Sequence, residues 1–140
     1  MRYEFTVEQK PTHLHVRVSG ENTPPTIAKY LADTREACAR LRCPFVLIEE
    51  HLVGPPLNTV QIFGVVTEGS KNVWPTVQRV AFVDASPERD RAGNRFAETV
   101  AVNRGVNVRV FDTVGEAERW LTERGGNVIN ESGRSQSKKG

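Results

Sequence analysis

The chain has 140 residues and a formal net charge of +2 at pH 7, with 38% hydrophobic and 26% charged residues. This length is enough for one domain with a buried core and is short for two. The balance of apolar and charged residues is typical of a globular chain and excludes a disordered one. The small net charge lacks the strong basic bias of nucleic-acid-binding proteins, so we expect no nucleic-acid partner.

The compartment is predicted from cysteines and from apolar segments. Cys38 and Cys43 do not form a CxxC motif, and Cys38 lies on the apolar stripe of a predicted helix, which favours a buried free thiol over a disulfide. The first ten residues alternate polar and apolar side chains and lack the apolar centre of a signal peptide. No segment approaches the roughly 18 apolar residues of a membrane helix. We therefore expect a cytoplasmic protein without an integral membrane segment.

The first third of the chain predicts a hairpin followed by a long helix. Residues 3–8 and 13–19 alternate apolar and polar side chains on either side of Lys10-Pro11-Thr12, which indicates two antiparallel strands. His13 and His15 share the polar face of this hairpin, and we expect that face to be solvated. Thr23 can cap a helix whose apolar residues recur at spacings of three and four as far as Leu41.

A central strand is predicted next. Phe45-Val46-Leu47-Ile48 is an uninterrupted apolar run of strand length, and such a strand must be covered on both faces, as in a parallel sheet. Glu49-Glu50-His51 is interpreted as the point where this strand leaves the core. Gly54-Pro55-Pro56 then turns the chain. In open α/β sheets, ligands and partners meet the loops at the carboxyl ends of such strands, so this segment is a candidate working surface.

The remaining elements alternate between helix and strand. Asn58, with Gln61 three residues later, predicts a capping box for a second helix that runs to about Ser70, with Phe63 on its inner face. The elements that follow are a strand at Gln78–Asp84, a helix starting at Ser86-Pro87-Glu88, an edge strand at Val106–Val110, and a helix capped at Thr113 and ending near Gly125.

The order predicts an α/β fold: a single five-stranded mixed sheet with an N-terminal antiparallel hairpin and four helices. Residues 1–124 form the domain. Residues 125–140 are rich in glycine, serine and lysine, and we expect a flexible C-terminal tail.

The closing unit, VRVFDTVGEAERWL from Val108 to Leu121, resembles the end of SpoIIAA-like proteins, which belong to the wider STAS (sulphate transporter and anti-sigma-factor antagonist) fold group. The N-terminal hairpin, the FVLIEE strand and the RVAFVD strand occur in the same order in that group. The resemblance implies a SpoIIAA-like (STAS-like) fold and a non-catalytic regulatory or protein-interaction module. Because CRAL-TRIO-type carriers are related in fold, it also implies a carrier or sensor of an apolar small molecule or lipid as the alternative.

Phosphorylation is a further implication of this resemblance. Anti-sigma-factor antagonists are phosphorylated on Ser or Thr at the start of the helix after the central strand, within a D-S-S-G-like pattern. Here the region reads EEHLVGPPLNTVQIFG, without paired serines, and Thr59 is the nearest hydroxyl. Ser86 is a second candidate because it stands at a predicted helix start, where an anion is favoured, although capping is its simpler role.

Two groups of polar residues resemble chemical sites, although solvated surface is the simpler interpretation of each. Glu49, Glu50 and His51 could bind a metal only if His13 or His15 approached them, since neighbouring strand residues point to opposite faces. Glu49 or Glu50 with Asp84 gives acids at two strand ends, as in receiver-like phospho-acceptor domains, but Lys71 is badly placed for the receiver lysine. We expect no enzyme activity, no metal and no cofactor.

The predicted binding surface lies after the central strand. It comprises Leu52, Leu57, Asn58, Thr59, Phe63 and Trp74, with Trp74 in a loop beside Pro75. Its apolar side chains would be buried by a protein partner. The alternative carrier would use a pocket between the second and third helices, near Phe63 and Phe96. The edge strand at Val106–Val110 or the first hairpin would allow pairing in a homodimer.

Overall fold

In a computed structural model of the chain, the structure describes residues 3–71, 77–87 and 89–123. The elements alternate as the sequence predicts, after an N-terminal hairpin. They are β1 Tyr3–Gln9, β2 Leu14–Glu21, α1 Pro24–Leu41, β3 Phe45–Val53, α2 Thr59–Ser70, β4 Arg79–Asp84, α3 Arg91–Asn103, β5 Val108–Phe111 and α4 Val114–Thr122.

The five strands form one mixed sheet in the order β1-β2-β3-β4-β5. β1 pairs antiparallel with β2, and every later neighbour pairs parallel. Helices α1, α2 and α3 cover one face of this sheet, which we call the α1–α3 face, and α4 covers part of the other, the α4 face. The predicted α/β class, the mixed sheet with its hairpin, and β5 as an edge strand are confirmed.

β3 is buried from both sides because its side chains alternate between the two layers. Val46 and Ile48 pack with β2 and α1, whereas Leu47 packs against Ala117 and Leu121 of α4. A strand covered twice needs apolar residues at consecutive positions, which is the pattern that predicted it.

β3 does not leave the core at its charged residues, and this part of the interpretation was wrong. The strand continues to Val53 because β2 runs beside it in parallel register as far as the pair Glu21 and Val53. Glu49 and His51 therefore lie on one face of the sheet, and Glu50 and Leu52 on the other.

The predicted helix starts hold for three of the four helices. Thr23 caps α1, the Asn58 and Gln61 side chains form a reciprocal capping box on α2, and Thr113 caps α4. The start of α3 was predicted too early. Asp90 is its N-cap, accepting a hydrogen bond from the Gly93 amide, and the helix begins at Arg91.

His13 and His15 are buried, so the expected solvated hairpin face is also wrong there. Their rings lie 6.5 Å apart on the α4 face, where Glu118 of α4 approaches His13 at 3.6 Å and Glu49 bonds His15. The covering helix and the neighbouring strand, which no local pattern indicates, remove these side chains from water.

Candidate functional site

A cavity of about 160 Å³ lies between the α1–α3 face of the sheet and the three helices above it. Apolar side chains form most of its wall, from Ile48 and Leu52 of β3, Phe82 of β4, and Ile62 and Val65 of α2. For scale, an engineered apolar cavity of about 150 Å³ stays dry and binds benzene. The space therefore suits a molecule with a single ring or a short branched chain, and is small for a whole lipid.

The cavity opens beside the loop from Gly54 to Leu57. Pro56 is the solvent-exposed residue of the described lining, and Leu57 next to it is half-buried. Gly54 has a φ of +137°, a conformation that side-chain-bearing residues rarely adopt, and the Asn22 amide donates to the Pro55 carbonyl oxygen at 2.9 Å. The loop is thus held in place at the mouth by its backbone and by Asn22.

Two carboxyl groups form a polar end of the cavity. Glu50 of β3 and Asp84 of β4 are directly opposite each other in parallel register, and both point to the α1–α3 face. They are 7% and 6% exposed. The sequence allows either Glu49 or Glu50 to pair with Asp84. In the structure, Glu50 is the residue that lies opposite Asp84.

Glu50 and Asp84 are held by different partners. The Tyr30 hydroxyl of α1 donates to Glu50 Oε2 at 2.5 Å. Asp84 accepts one hydrogen bond from the Ser86 amide at 3.0 Å and one from the Asn94 side chain at 2.8 Å. Both oxygens of Asp84 are therefore paired, whereas the described residues supply no donor to Glu50 Oε1.

Burial changes the acid–base behaviour of the Glu50 carboxyl group. It raises the pKa of Glu50 to about 7, the hydrogen bond from Tyr30 acts in the opposite direction, and the neighbouring Asp84 charge raises it further. Burial and the Glu50 carboxylate also raise the pKa of the Tyr30 hydroxyl, so this hydroxyl stays a donor. Glu50 thus changes charge near neutral pH while facing a largely apolar space.

The charged side chains of the described lining all carry one sign. Besides Glu50 and Asp84 they are Asp90, which caps α3, and Glu98, whose Oε2 accepts a hydrogen bond from the Val110 amide. No lysine, arginine or histidine occurs among the described lining residues. The cavity is therefore electrostatically suited to a cation and unsuited to an anion.

Comparison with solved structures was informative about the architecture. An uncharacterised protein of the DUF3478 family from Shewanella loihica PV-4, described as having a SpoIIAA-like fold, superposes with a TM-score of 0.52. The match covers 85% of this chain and 93% of that chain, at 17% sequence identity. The fold is SpoIIAA-like. No protein-family model and no curated protein matches the sequence.

This SpoIIAA-like fold distributes the predicted binding residues over two different places. Leu52 is 2% exposed and lies in the core, where it lines the cavity, and Leu57 lines the cavity from the loop. Phe63 points outward, 46% exposed beneath the guanidinium of Arg104, and not to the inner face of α2 as predicted. Phe96 does not line the cavity either. The pocket under α2 thus exists, but Ile62, Val65 and Val66 form its wall instead.

The remaining predicted site residues lie at element starts. Asn58 and Thr59 are exposed at the start of α2, and Ser86 is half-buried in the loop after β4, where it lines the cavity. Trp74 lies outside the described residues, as do residues 124–140, which include the predicted tail. Phosphorylation of Thr59 or Ser86 stays a prediction.

Asn58→Ala should lower the free energy of unfolding by about 1 kcal/mol, because the Asn58 side chain accepts from the Gln61 amide at 2.8 Å and closes the capping box. Urea titration followed by circular dichroism measures this loss. Thr59→Ala, at the neighbouring exposed position, is the control and should change it by less than about 0.5 kcal/mol. Equal losses in both variants would contradict a specific capping role.

The acid on the other side of the sheet belongs to a separate cluster. Glu49 Oε1 lies 2.8 Å from His15 Nε2, and its Oε2 lies 2.7 Å from His51 Nε2. A metal site at Glu49 would need His13 or His15 nearby, and His15 does approach Glu49. Within residues 3–71, 77–87 and 89–123, no group of three or more His, Cys, Asp or Glu side chains has an arrangement that would hold a metal ion.

Sequence reasoning missed Tyr30, Asn94 and Glu98 as cavity residues. Tyr30 lies on the apolar stripe of α1, and a tyrosine on such a stripe signals a buried hydroxyl that needs a partner. Asn94 and Glu98 carry no comparable signal, since their roles depend on how α3 packs over β4 and β5. A search of the described residues also found no helix long and apolar enough to cross a membrane.

Proposed function

We propose that this protein is a non-catalytic binding module that takes up a small apolar molecule in the cavity beneath α2. The observation that carries the proposal is the 160 Å³ space with apolar walls and a mouth at the Gly54–Leu57 loop. Small-molecule sites are concave, mostly apolar, and carry a few polar groups that fix orientation. The described lining has no histidine, cysteine or lysine, which favours binding over a reaction.

The size of the cavity distinguishes this proposal from a lipid carrier. A ligand of about six to eight non-hydrogen atoms would fill a volume close to that of the benzene-binding cavity. A long acyl chain would have to leave through the mouth past Pro56. Small aromatic or branched molecules are therefore the expected ligand class.

Ala97→Leu should abolish binding of a neutral single-ring probe such as toluene. Ala97 lines the cavity from α3, and three added carbon atoms would occupy much of the space. Binding by the wild type is read from the rise in melting temperature with toluene concentration, because a ligand that binds only the folded state stabilises it. Amide chemical shifts in Leu52 and Val65 would locate the probe.

Ala92→Leu is the matched control, since Ala92 is exposed on the same helix and does not line the cavity. It should bind toluene like the wild type. A wild type that shows no stabilisation by toluene, or an Ala97→Leu variant that binds as tightly as the control, would overturn the proposed function.

A protein-docking role on α2 is the second candidate, favoured by apolar side chains that face solvent. Val60 is 80% exposed and Phe63 is 46% exposed on this helix, and Thr59 precedes them at its start. A partner that covers these side chains would gain the burial energy that they lack in the free protein. The outward position of Phe63 moves this candidate surface away from Leu52, which the core already buries.

The doubly substituted variant Val60→Ser/Phe63→Ser should lose partners that the wild type retains in pull-down experiments while its urea midpoint stays the same. Glu68→Ser, at another exposed position of the same helix, serves as the control. Identical partner sets for the wild type and the double variant would argue against this surface.

A further inference from the structure

The acidic end of the cavity sets the class of ligand more narrowly than its apolar walls do. Glu50 and Asp84 lie opposite each other on neighbouring strands, and both are more than nine-tenths buried. Glu50 Oε1 has no donor from the described residues, whereas Tyr30 donates one hydrogen bond to Oε2 and each Asp84 oxygen accepts one. A ligand in the cavity that carries a hydrogen-bond donor therefore has Glu50 Oε1 as an acceptor.

We propose that the cavity binds a small organic amine, with its apolar body between α2 and the sheet and its ammonium group at Glu50 and Asp84. This inference rests on the proposed function and specifies its ligand class. Four carboxyl residues and no cation line the described cavity, so a positive ligand group meets attraction there and a carboxylate meets repulsion.

The protonation state of Glu50 makes this preference depend on pH. The titratable groups facing Glu50 are Tyr30 from α1 and Asp84 from β4, with Asp90 and Glu98 of α3 also lining the cavity. Because burial raises the pKa of Glu50 to about 7, the carboxyl is neutral in mildly acidic solution and charged above neutrality. An aliphatic ammonium keeps its charge over this range. Amine affinity should therefore rise between pH 6 and pH 8.

Three probes with the same ring separate charge from apolar burial: toluene, benzylamine and benzoate. At pH 8, benzylamine should bind the wild type about ten- to a hundredfold more tightly than toluene, as expected for a hydrogen bond to a charged group. Benzoate should bind more weakly than toluene. The ratio of benzylamine to toluene affinity should fall by about tenfold at pH 6, whereas toluene binding alone should change little.

Glu50→Gln removes the charge and keeps the shape, so it should reduce benzylamine affinity to that of toluene. Glu49→Gln is the matched control, because Glu49 is the adjacent residue of β3 and points to the opposite face. It should keep the preference for benzylamine. The pH series on the wild type gives the same information independently of whether the Glu50 variant folds.

The outcomes distinguish the apolar binding site from its preference for an amine. If toluene binds and benzylamine binds no more tightly at pH 8, the amine inference is overturned and the apolar binding site stands. If neither probe binds, both are overturned. A benzylamine preference that survives Glu50→Gln, or that is equal at pH 6 and pH 8, would also overturn the amine inference.

Discussion

Leu47→Ala should lower the free energy of unfolding by about 2–5 kcal/mol, the range observed when a buried leucine is truncated. Leu47 has no exposed surface and packs against Ala81 of β4 and Ala117 of α4. The alanine side chains of Ala81 and Ala117 are too short to fill the space that the substitution leaves. A loss of this size is a large part of the total stability of a typical domain. Urea unfolding, followed by tryptophan fluorescence and circular dichroism together, measures it.

Val53→Ala is the control on the same strand. Val53 ends β3 and is 67% exposed, so its truncation should change the free energy of unfolding by less than about 0.5 kcal/mol. The comparison tests the two-layer architecture directly, since Leu47 is buried only if α4 covers the sheet. A Leu47→Ala loss as small as that of Val53→Ala would contradict the placement of α4.

The sequence predicted this architecture well because local patterns determine it. Phe45 to Ile48 form a run too apolar for a strand with one wet face, and Asn58 with Gln61 forms a capping box that needs no tertiary contact to be recognised. The FDTVGEAERWL segment carried the resemblance that the solved structure supports at the level of the fold. Such signals depend on residues within one or two turns of each other.

The candidate site could be predicted only in part, because distant elements decide it. Strand alternation places Glu49 and Glu50 on opposite faces, but it does not say which face three helices cover. Burial of Glu50 depends on α1, which brings Tyr30 to it from 20 positions away. The cavity itself arises where small residues such as Gly69 and Ala97 occupy the inner sides of α2 and α3. At Gly69 an added Cβ would lie 2.6 Å from the end of the Leu31 side chain of α1, so a larger residue there would have to displace that side chain.

The receiver-like alternative loses support from the same geometry. Asp84 is buried and accepts two hydrogen bonds, and Lys71, at the end of α2, pairs with Glu68 on the surface. A phospho-acceptor carboxylate needs access for its phosphate donor and a nearby cation. Acetyl phosphate should therefore leave the protein unlabelled, and mass spectrometry would detect a phosphorylated fraction if this expectation failed.

Relative to the wild type, the Glu50→Gln variant should become more stable as the pH rises from about 4.5 to about 7. The unfolded chain would titrate near the ordinary value of 4.5, whereas burial raises the folded-state pKa to about 7. Between these two pKa values the folded state holds a proton that the unfolded state has released. The contribution of Glu50 to wild-type stability is therefore fully present below pH 4.5 and is lost as the pH rises through 7. The difference between the folded-state and unfolded-state pKa values of Glu50 corresponds to about 3 kcal/mol. Urea titrations of both proteins at pH 4.5, 6 and 8 measure it.

Glu49→Gln should show the opposite dependence, although the two residues are adjacent. Partial burial opposes the shift, but hydrogen bonds from His51 and His15 hold the pKa of Glu49 below its usual value. Its stabilising contribution is therefore present above about 4.5, the ordinary value, and lost as the pH falls through the folded-state pKa. The Gln variant should be less stable than the wild type at pH 7 and approach it in acid. Stability curves that run parallel for the wild type and both variants would show that neither carboxyl has the environment described, and the charged end of the cavity would no longer have a physical basis.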